Sequence, residues 1–181
     1  MQSKVLIGLV IVAILVGAGA SILLHRAPET PPPTAVETTP PDEASATVTL
    51  YWLNSQGDRL VAVKRTIKEK STSQVLNLAL QSLIKETPPD DLYSAIPKDT
   101  EILDLQADGQ DIRLNLSSAF GRGGGTTAIQ GRLIQVLYTL TSLEPSARVF
   151  LSIEGKPVTY LGGEGIEVKQ PMTRQDYPEI L

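Results

Sequence analysis

The chain contains no cysteine, and its one histidine stands at position 25. The first absence removes disulfides, a thiol nucleophile and a cysteine-borne lipid anchor, while leaving the compartment open, because exported domains need not be oxidised. The second removes a Ser/His/Asp triad from everything downstream of the N-terminus, so acid or base chemistry there would fall to carboxylates. Aromatic residues are few, at 4%. A stacking surface for sugars would have to come from Tyr51, Trp52, Tyr93, Tyr138 and Tyr160, residue types that in a small domain more often fill the core. There is no basic surplus either: 16 Lys and Arg face 20 Asp and Glu, a net charge of -4. From Thr47 onward the two signs are interspersed, and no basic face advertises nucleic acid.

What is present begins with length. A chain of 181 residues holds one domain and its appendages, since a single core organises roughly 100–200 residues. After Met1-Gln2-Ser3-Lys4 comes an unbroken apolar run from Val5 to Leu24 (VLIGLVIVAILVGAGASILL), matching the roughly 20 residues a helix needs to cross a bilayer. Two readings of residues 1–26 follow. A transmembrane anchor is favoured because Ile22-Leu23-Leu24 carry the apolar character up to His25-Arg26, which close the span at an interface. A cleavable signal peptide competes, because Ala18-Gly19-Ala20 before Ser21 resembles a small-residue processing site. Both put the remainder outside the cytoplasm: anchored, in the periplasm or at the cell surface, or secreted if the N-terminus is cut. Residues 27–46 (APETPPPTAVETTPPDEASA) are rich in proline, threonine and acids and lack aromatics, so they cannot bury enough surface to fold and read as a linker. At about 3.1 Å per residue such a linker holds the domain at 47–181 several tens of Å from the membrane.

The domain itself is read by period. Thr47–Leu53 alternates Val48, Leu50 and Trp52 against Thr49, Tyr51 and Leu53, as a strand does. Asn54-Ser55-Gln56-Gly57 supplies a turn, and Leu60–Ile67 returns to make an antiparallel hairpin. Leu76, Ala79, Leu80 and Leu83 then lie at helical spacing and predict a helix over 72–86, with Ser71 and Gln74 as a capping box and Pro88-Pro89 as its stop. Strands over 102–107 and 111–117 flank the turn pair Asp108-Gly109. Ile129, Leu133, Val136, Leu137, Leu140 and Leu143 form an apolar stripe that predicts a second helix over 126–143. Arg148–Glu154 alternates again, and a short piece near Val158–Leu161 is expected to pair back onto it. The order β-β-α-β-β-α-β-β predicts an α+β fold, a mixed, largely antiparallel sheet with both helices packed on one face.

Three places invite a functional reading. Arg122-Gly123-Gly124-Gly125-Thr126 leads into the second helix, where free backbone N–H groups and the helix dipole could hold an anion such as phosphate, or where a partner could touch. Glycines that merely let the chain turn into a helix explain the same string, and the GK[ST] ending of a phosphate loop is missing. Asp104, Asp108 and Asp111 gather around one hairpin and could bind a cation or serve as an acid/base pair, yet no ligand-loop spacing accompanies them, which favours a solvated turn. Leu161–Gly165 and Thr173–Tyr177 have the glycine and polar character of contact loops. No cofactor or metal is predicted.

Particular strings add to this. Ser94-Ala95-Ile96-Pro97 with Thr100, Leu114-Asn115-Leu116-Ser117-Ser118-Ala119-Phe120, Gln135-Val136-Leu137-Tyr138-Thr139-Leu140-Thr141 and Ile153-Glu154-Gly155-Lys156-Pro157-Val158 follow one another in an order that resembles a GerMN domain, the domain of GerM-type sporulation and spore germination proteins. The resemblance runs over nearly all of 47–177, to Leu161–Gly165 and Pro171–Tyr177. It implies an extracytoplasmic, membrane-attached module without recognised activity, acting in envelope or spore-related assemblies and related in fold to ring-building domains. GerM resembles a tandem of two such domains on a lipid anchor; this sequence carries one copy behind an apolar segment. The resemblance therefore implies fold and compartment and leaves the process open. Together these readings predict a non-catalytic binding or assembly module of the bacterial cell envelope, meeting other envelope proteins, with self-association a further possibility and the membrane reached through the N-terminal helix. A peptidoglycan- or glycan-binding domain is the alternative, and a hydrolase built on the three aspartates is disfavoured.

Overall fold

The computed structural model describes residues 44–179. The anchor or signal peptide expected at 1–26, and the linker expected at 27–46 except for its last residues, lie outside that range. Among the described residues no helix is long and apolar enough to cross a membrane.

β1 (Ala46–Leu53) and β2 (Leu60–Ile67) form the expected antiparallel hairpin, in unbroken register from Ala46↔Ile67 to Leu53↔Leu60. Val48, Leu50 and Trp52 point into the core and are buried. The turn requires Gly57: its φ is +77°, and a Cβ there would stand 2.2 Å from the Tyr93 hydroxyl. Helix α1 (Thr72–Lys85) follows, burying Val75, Leu76, Ala79, Leu80 and Leu83. Ser71 takes the N-cap position without making the side-chain bond of a capping box. The hydroxyl that works here is Ser73 Oγ, which accepts the Ala107 N–H at 2.9 Å and ties the start of α1 to the next strand.

β3 (Ile102–Asp108) and β4 (Asp111–Leu116) pair antiparallel with a bulge between Ile102 and Asp104. Asp108 and Asp111 face each other, so the two-residue turn is Gly109-Gln110, one position later than the sequence suggests. A one-turn 3-10 helix at Ser118–Gly121, unforeseen from periodicity, buries Phe120. Helix α2 (Thr126–Leu140) ends about a turn short of the stripe that predicted it. Its cap is Thr141, and Leu143 lies beyond the helix, 38% exposed.

β5 (Arg148–Ile153) runs parallel to β4, with α2 as the crossover between them. β6 (Lys156–Pro157) turns back onto β5 through Glu154 and Gly155, both at positive φ, as a two-residue hairpin turn of primed type demands. The expected return near Val158–Leu161 is therefore shifted: Lys156–Pro157 makes it, while β7 (Tyr160–Leu161) pairs with β8 (Ile166–Glu167) in a small ribbon of its own.

The α+β class and the largely antiparallel pairing hold, with β4–β5 the parallel pair. The single sheet does not: hydrogen bonding divides the strands into β1-β2, β3-β4-β5-β6 and β7-β8. The cause is visible on the outer edge of β1. Tyr51 N–H donates to Thr139 Oγ1 at 3.1 Å, and Tyr51 O accepts from Gln135 Nε2 at 3.1 Å. Leu53 exchanges both its backbone bonds with Tyr93, each at 2.9 Å. Side chains of α2 and the Tyr93 backbone thus occupy the edge that a continuous sheet would need. α1 rests on β1, β2 and β3, and α2 on β1 and α1. Leu50, Trp52, Leu80, Leu83, Leu133 and Leu137 meet in one core, each worth about 1.5–3 kcal/mol in buried surface.

Candidate functional site

The glycine-containing loop that the sequence singles out is held from below by Arg132, a residue that periodicity did not mark. Arg132 lies on the second turn of α2 and is buried. Its Nε donates to Ala95 O at 2.9 Å, Nη1 to Phe120 O at 2.7 Å and to Arg122 O at 3.0 Å, and Nη2 to Gly123 O at 2.6 Å. Four carbonyls at a distance from the side chain's own backbone converge on one guanidinium. Burial pushes the Arg132 pKa down from its ordinary value, but a guanidinium stays charged and its planar fork of donors suits this cage. Gly124, at φ +82°, lies so close that a Cβ would come within 2.8 Å of Ala128 Cβ and of Arg132 Nη2.

Each predicted loop residue now has a place. The Arg122 side chain points outward and pairs with Asp99 at 2.6 Å. Arg122 and Gly123 give their carbonyls to Arg132. Gly125 is the N-cap residue of α2 and accepts the Ile129 N–H at 3.1 Å. The Thr126 hydroxyl donates to the carboxylate of Glu164, from the turn between β7 and β8. This bond joins the Arg122–Thr126 loop to the 161–165 loop.

The aspartates do not converge. Asp111 pairs with Arg148 at 2.6 Å, Asp104 accepts from Gln106 Nε2 at 3.1 Å, and among the described residues no group of His, Cys, Asp or Glu is arranged to hold a metal ion. The aromatic residues separate as well. Trp52 and Tyr138 are buried, Tyr51 stacks edge-on against Tyr138 at 5.4 Å, and Tyr93 and Tyr160 are 39% and 67% exposed.

Thr173–Tyr177 forms a clasp over the end of α2. Arg174 donates to Tyr138 O, Thr141 O and Thr141 Oγ1, and its guanidinium lies 4.4 Å from the Tyr138 ring centre. These are the last carbonyls of the helix, which lack intrahelical partners. Tyr138 Oη donates to Tyr177 O at 3.2 Å, and burial raises the pKa of both phenols. Beside the clasp is a cleft of about 280 Å³ bounded by Gln130, Ile134, Ile166, Lys169 and Tyr177.

Gln135 completes the arrangement. Fully buried, it accepts the Ala95 N–H at 2.8 Å while donating to Tyr51 O. Arg132 and Gln135 thus grip Ala95 from both sides, so the Ser94–Pro97 and Gln135–Thr141 strings form one structural unit. The available signal was Arg132, Gln135 and Thr139, three and seven residues apart within the largely apolar stretch from Ile129 to Leu140. That pattern reads equally well as a solvated face.

A model of the Germane family, described as sporulation and spore germination, matches residues 49–159, a span holding every element from β1 to β6 save the first strand's opening residues. The chain belongs to the Germane family. Solved structures agree on the fold. The tandem GerMN domains of the sporulation protein GerM from Bacillus subtilis superpose with a TM-score of 0.61 at 21% identity, over 74% of this chain and 48% of that one. This chain thus spans about half of that tandem structure. The first GerMN domain of the same protein alone gives 0.58 at 19% identity, over 72% of this chain and 99% of that one. A Clostridium perfringens protein described as a candidate lipoprotein gives 0.53 at 21% identity, over 76% and 93% respectively. Curated proteins offer no match. The Germane domain here is therefore of GerMN type in fold, and its buried polar row belongs to the matched span.

Proposed function

We propose that this Germane domain is a non-catalytic binding and assembly module of the bacterial cell envelope, held outside the cytoplasm by the apolar segment and linker that precede it. One observation carries the reading: the buried polar side chains of α2, Arg132, Gln135 and Thr139, are all spent on the domain's own backbone. Catalysis would instead require polar groups converging on a place where a substrate fits. The surface offers strand edge, turns and loops, the usual material of protein contacts. Compartment follows from the apolar run at Val5–Leu24 and accords with the lipoprotein description of one structural relative. The Arg122–Thr126 loop enters as a partner-contact loop rather than an anion cradle, since Glu164 stands at Thr126.

Photo-crosslinking in cells tests this reading. A benzophenone amino acid placed in turn at Lys64, Leu78, Leu103, Arg122 and Tyr160 is expected to trap another envelope protein from at least one position. Adducts only with cytoplasmic proteins, or none from any position, would count against it. Glycan binding keeps one supporting observation, the 67% exposure of Tyr160. Co-sedimentation with purified sacculi at low salt, lost in Tyr160→Ala, is what that alternative requires.

A further inference from the structure

We infer that the outer edge of β2 and the groove between it and α1 receive an extended, acidic strand from a partner protein, which adds to the β1-β2 sheet. This rests on the binding-module reading and names where and how the contact is made.

The backbone directions follow from the other side of the hairpin. Tyr51 and Leu53 turn their N–H and C=O groups away from β2, toward α2 and Tyr93. In an antiparallel pair, bonded and non-bonded positions alternate. Leu53↔Leu60 and Tyr51↔Ala62 are therefore non-bonded pairs, and on β2 the groups of Ala62, Lys64 and Thr66 face outward. No strand pairs with that edge among the described residues, and the three side chains are exposed.

Edge strands are ordinarily blunted by bulges, prolines, short length, covering groups or charged side chains, lysine above all. β3, the edge of the four-stranded sheet, has a bulge at Ile102/Asp104, and its Ala107 N–H is taken by Ser73. β2 has neither of these: it is eight residues long, free of proline and regular in register, and its guard is the charge of Lys64, which repels a second copy and admits an acidic strand. Beside it is a groove of about 380 Å³, floored by Ile67, Leu78 and Gln81 and bordered by the Arg65–Glu86 pair and Lys85. Leu78 is 39% exposed there. Strand addition supplies main-chain bonds along the edge while alternate side chains of the incoming strand enter such a groove.

Charge selects the occupant. Glu86 is neutralised by Arg65 at 2.5 Å. Lys85 donates to Lys98 O rather than to a carboxylate, and Lys64 has no acidic partner among the described residues. In a chain of net charge -4 the edge therefore carries positive charge on both sides, Lys85 at the groove and Lys64 on the opposite face of the sheet, where alternate side chains of an added strand would project. A second copy fits it poorly, because antiparallel β2–β2 pairing sets both Lys64 side chains on one face across the seam. An acidic strand, with an apolar residue over Leu78, fits.

The test uses the full chain in detergent and an end-blocked, fluorescent eight-residue peptide alternating glutamate and valine. Saturable binding is expected, with slowed hydrogen exchange at the amides of Ala62, Lys64 and Thr66. Lys64→Glu should weaken it about tenfold. Ala62→Pro, which removes an outward N–H, should weaken it at least about tenfold. The same peptide N-methylated at alternate amides should fail to bind the unaltered protein, a control that leaves the fold untouched. Absence of binding, binding without protection of those three amides, or full binding by the methylated peptide would overturn the inference. In the cellular crosslinking experiment, adducts from Tyr160 or Arg122 with none from Lys64 or Leu78 would sink this site while sparing the binding-module reading. Adducts at Lys64 solely with a second copy of the chain would overturn the choice of partner.

Discussion

The two edges of the first hairpin differ in what meets them, β1 being closed at Tyr51 and Leu53 and β2 open. On β1 the outward groups of Tyr51 and Leu53 are met, Tyr51 by Thr139 and Gln135 and Leu53 by Tyr93. On β2 the outward groups of Ala62, Lys64 and Thr66 meet no strand among the described residues. A sheet edge can be closed by helix side chains as well as by another strand, and α2 carries those side chains in a buried row. Stability is concentrated on the closed side. Availability for a partner is concentrated on the open one.

The largest effect on this contrast is expected from Arg132→Leu. It strands carbonyls of Ala95, Phe120, Arg122 and Gly123 together, and should cost about 3–5 kcal/mol in urea unfolding, as losing one side of a buried charged network does. Gln135→Leu leaves the Ala95 N–H and Tyr51 O unpaired; about 2–3 kcal/mol is expected, with faster exchange at Ala95. Proline sharpens the comparison along β2 itself. Val63→Pro breaks a bond to Leu50 and should unfold the hairpin, whereas Ala62→Pro removes only an outward N–H and should cost below about 1 kcal/mol. The smallest effect belongs to Glu86→Gln. The hydrogen bond from Arg65 holds the Glu86 pKa below its ordinary 4.5. A lowered carboxylate pKa stabilises above the unfolded value and loses that contribution as pH falls through the folded one. Both partners are more than a third exposed, so the difference should stay near 0.2–1 kcal/mol at neutral pH and vanish in acid.

Much of this fold is legible in the sequence because it is carried by period and punctuation. The alternation in Thr47–Leu53 and Leu60–Ile67, the apolar spacing of both helices and the turn residues locate β1 to β5 and α1 and α2 within a few residues. What escaped is what period does not encode. Strands of two residues, as at Tyr160–Leu161, are too short to alternate, and a 3-10 turn has no stripe. The division into three sheets depends on Gln135 and Thr139 reaching across to Tyr51, and spacing alone does not tell a buried polar row from a solvated one. The same limit applies to the candidate loop. The string at 122–126 correctly marks the start of α2, but neither Arg132 beneath it nor Glu164 beside it, 38 residues beyond Thr126, follows from the string. The open edge of β2 was hidden for a related reason, since the sequence shows a strand and only the arrangement around it shows which side is free.

Residue-resolved hydrogen exchange on the full chain tests the central contrast most directly. The account predicts slow exchange at Tyr51 and Leu53 and, on β2, alternation: Val61, Val63 and Arg65 slow, Ala62, Lys64 and Thr66 fast. Uniform protection along β2, or exchange at Tyr51 and Leu53 as fast as at Ala62 and Lys64, would contradict it.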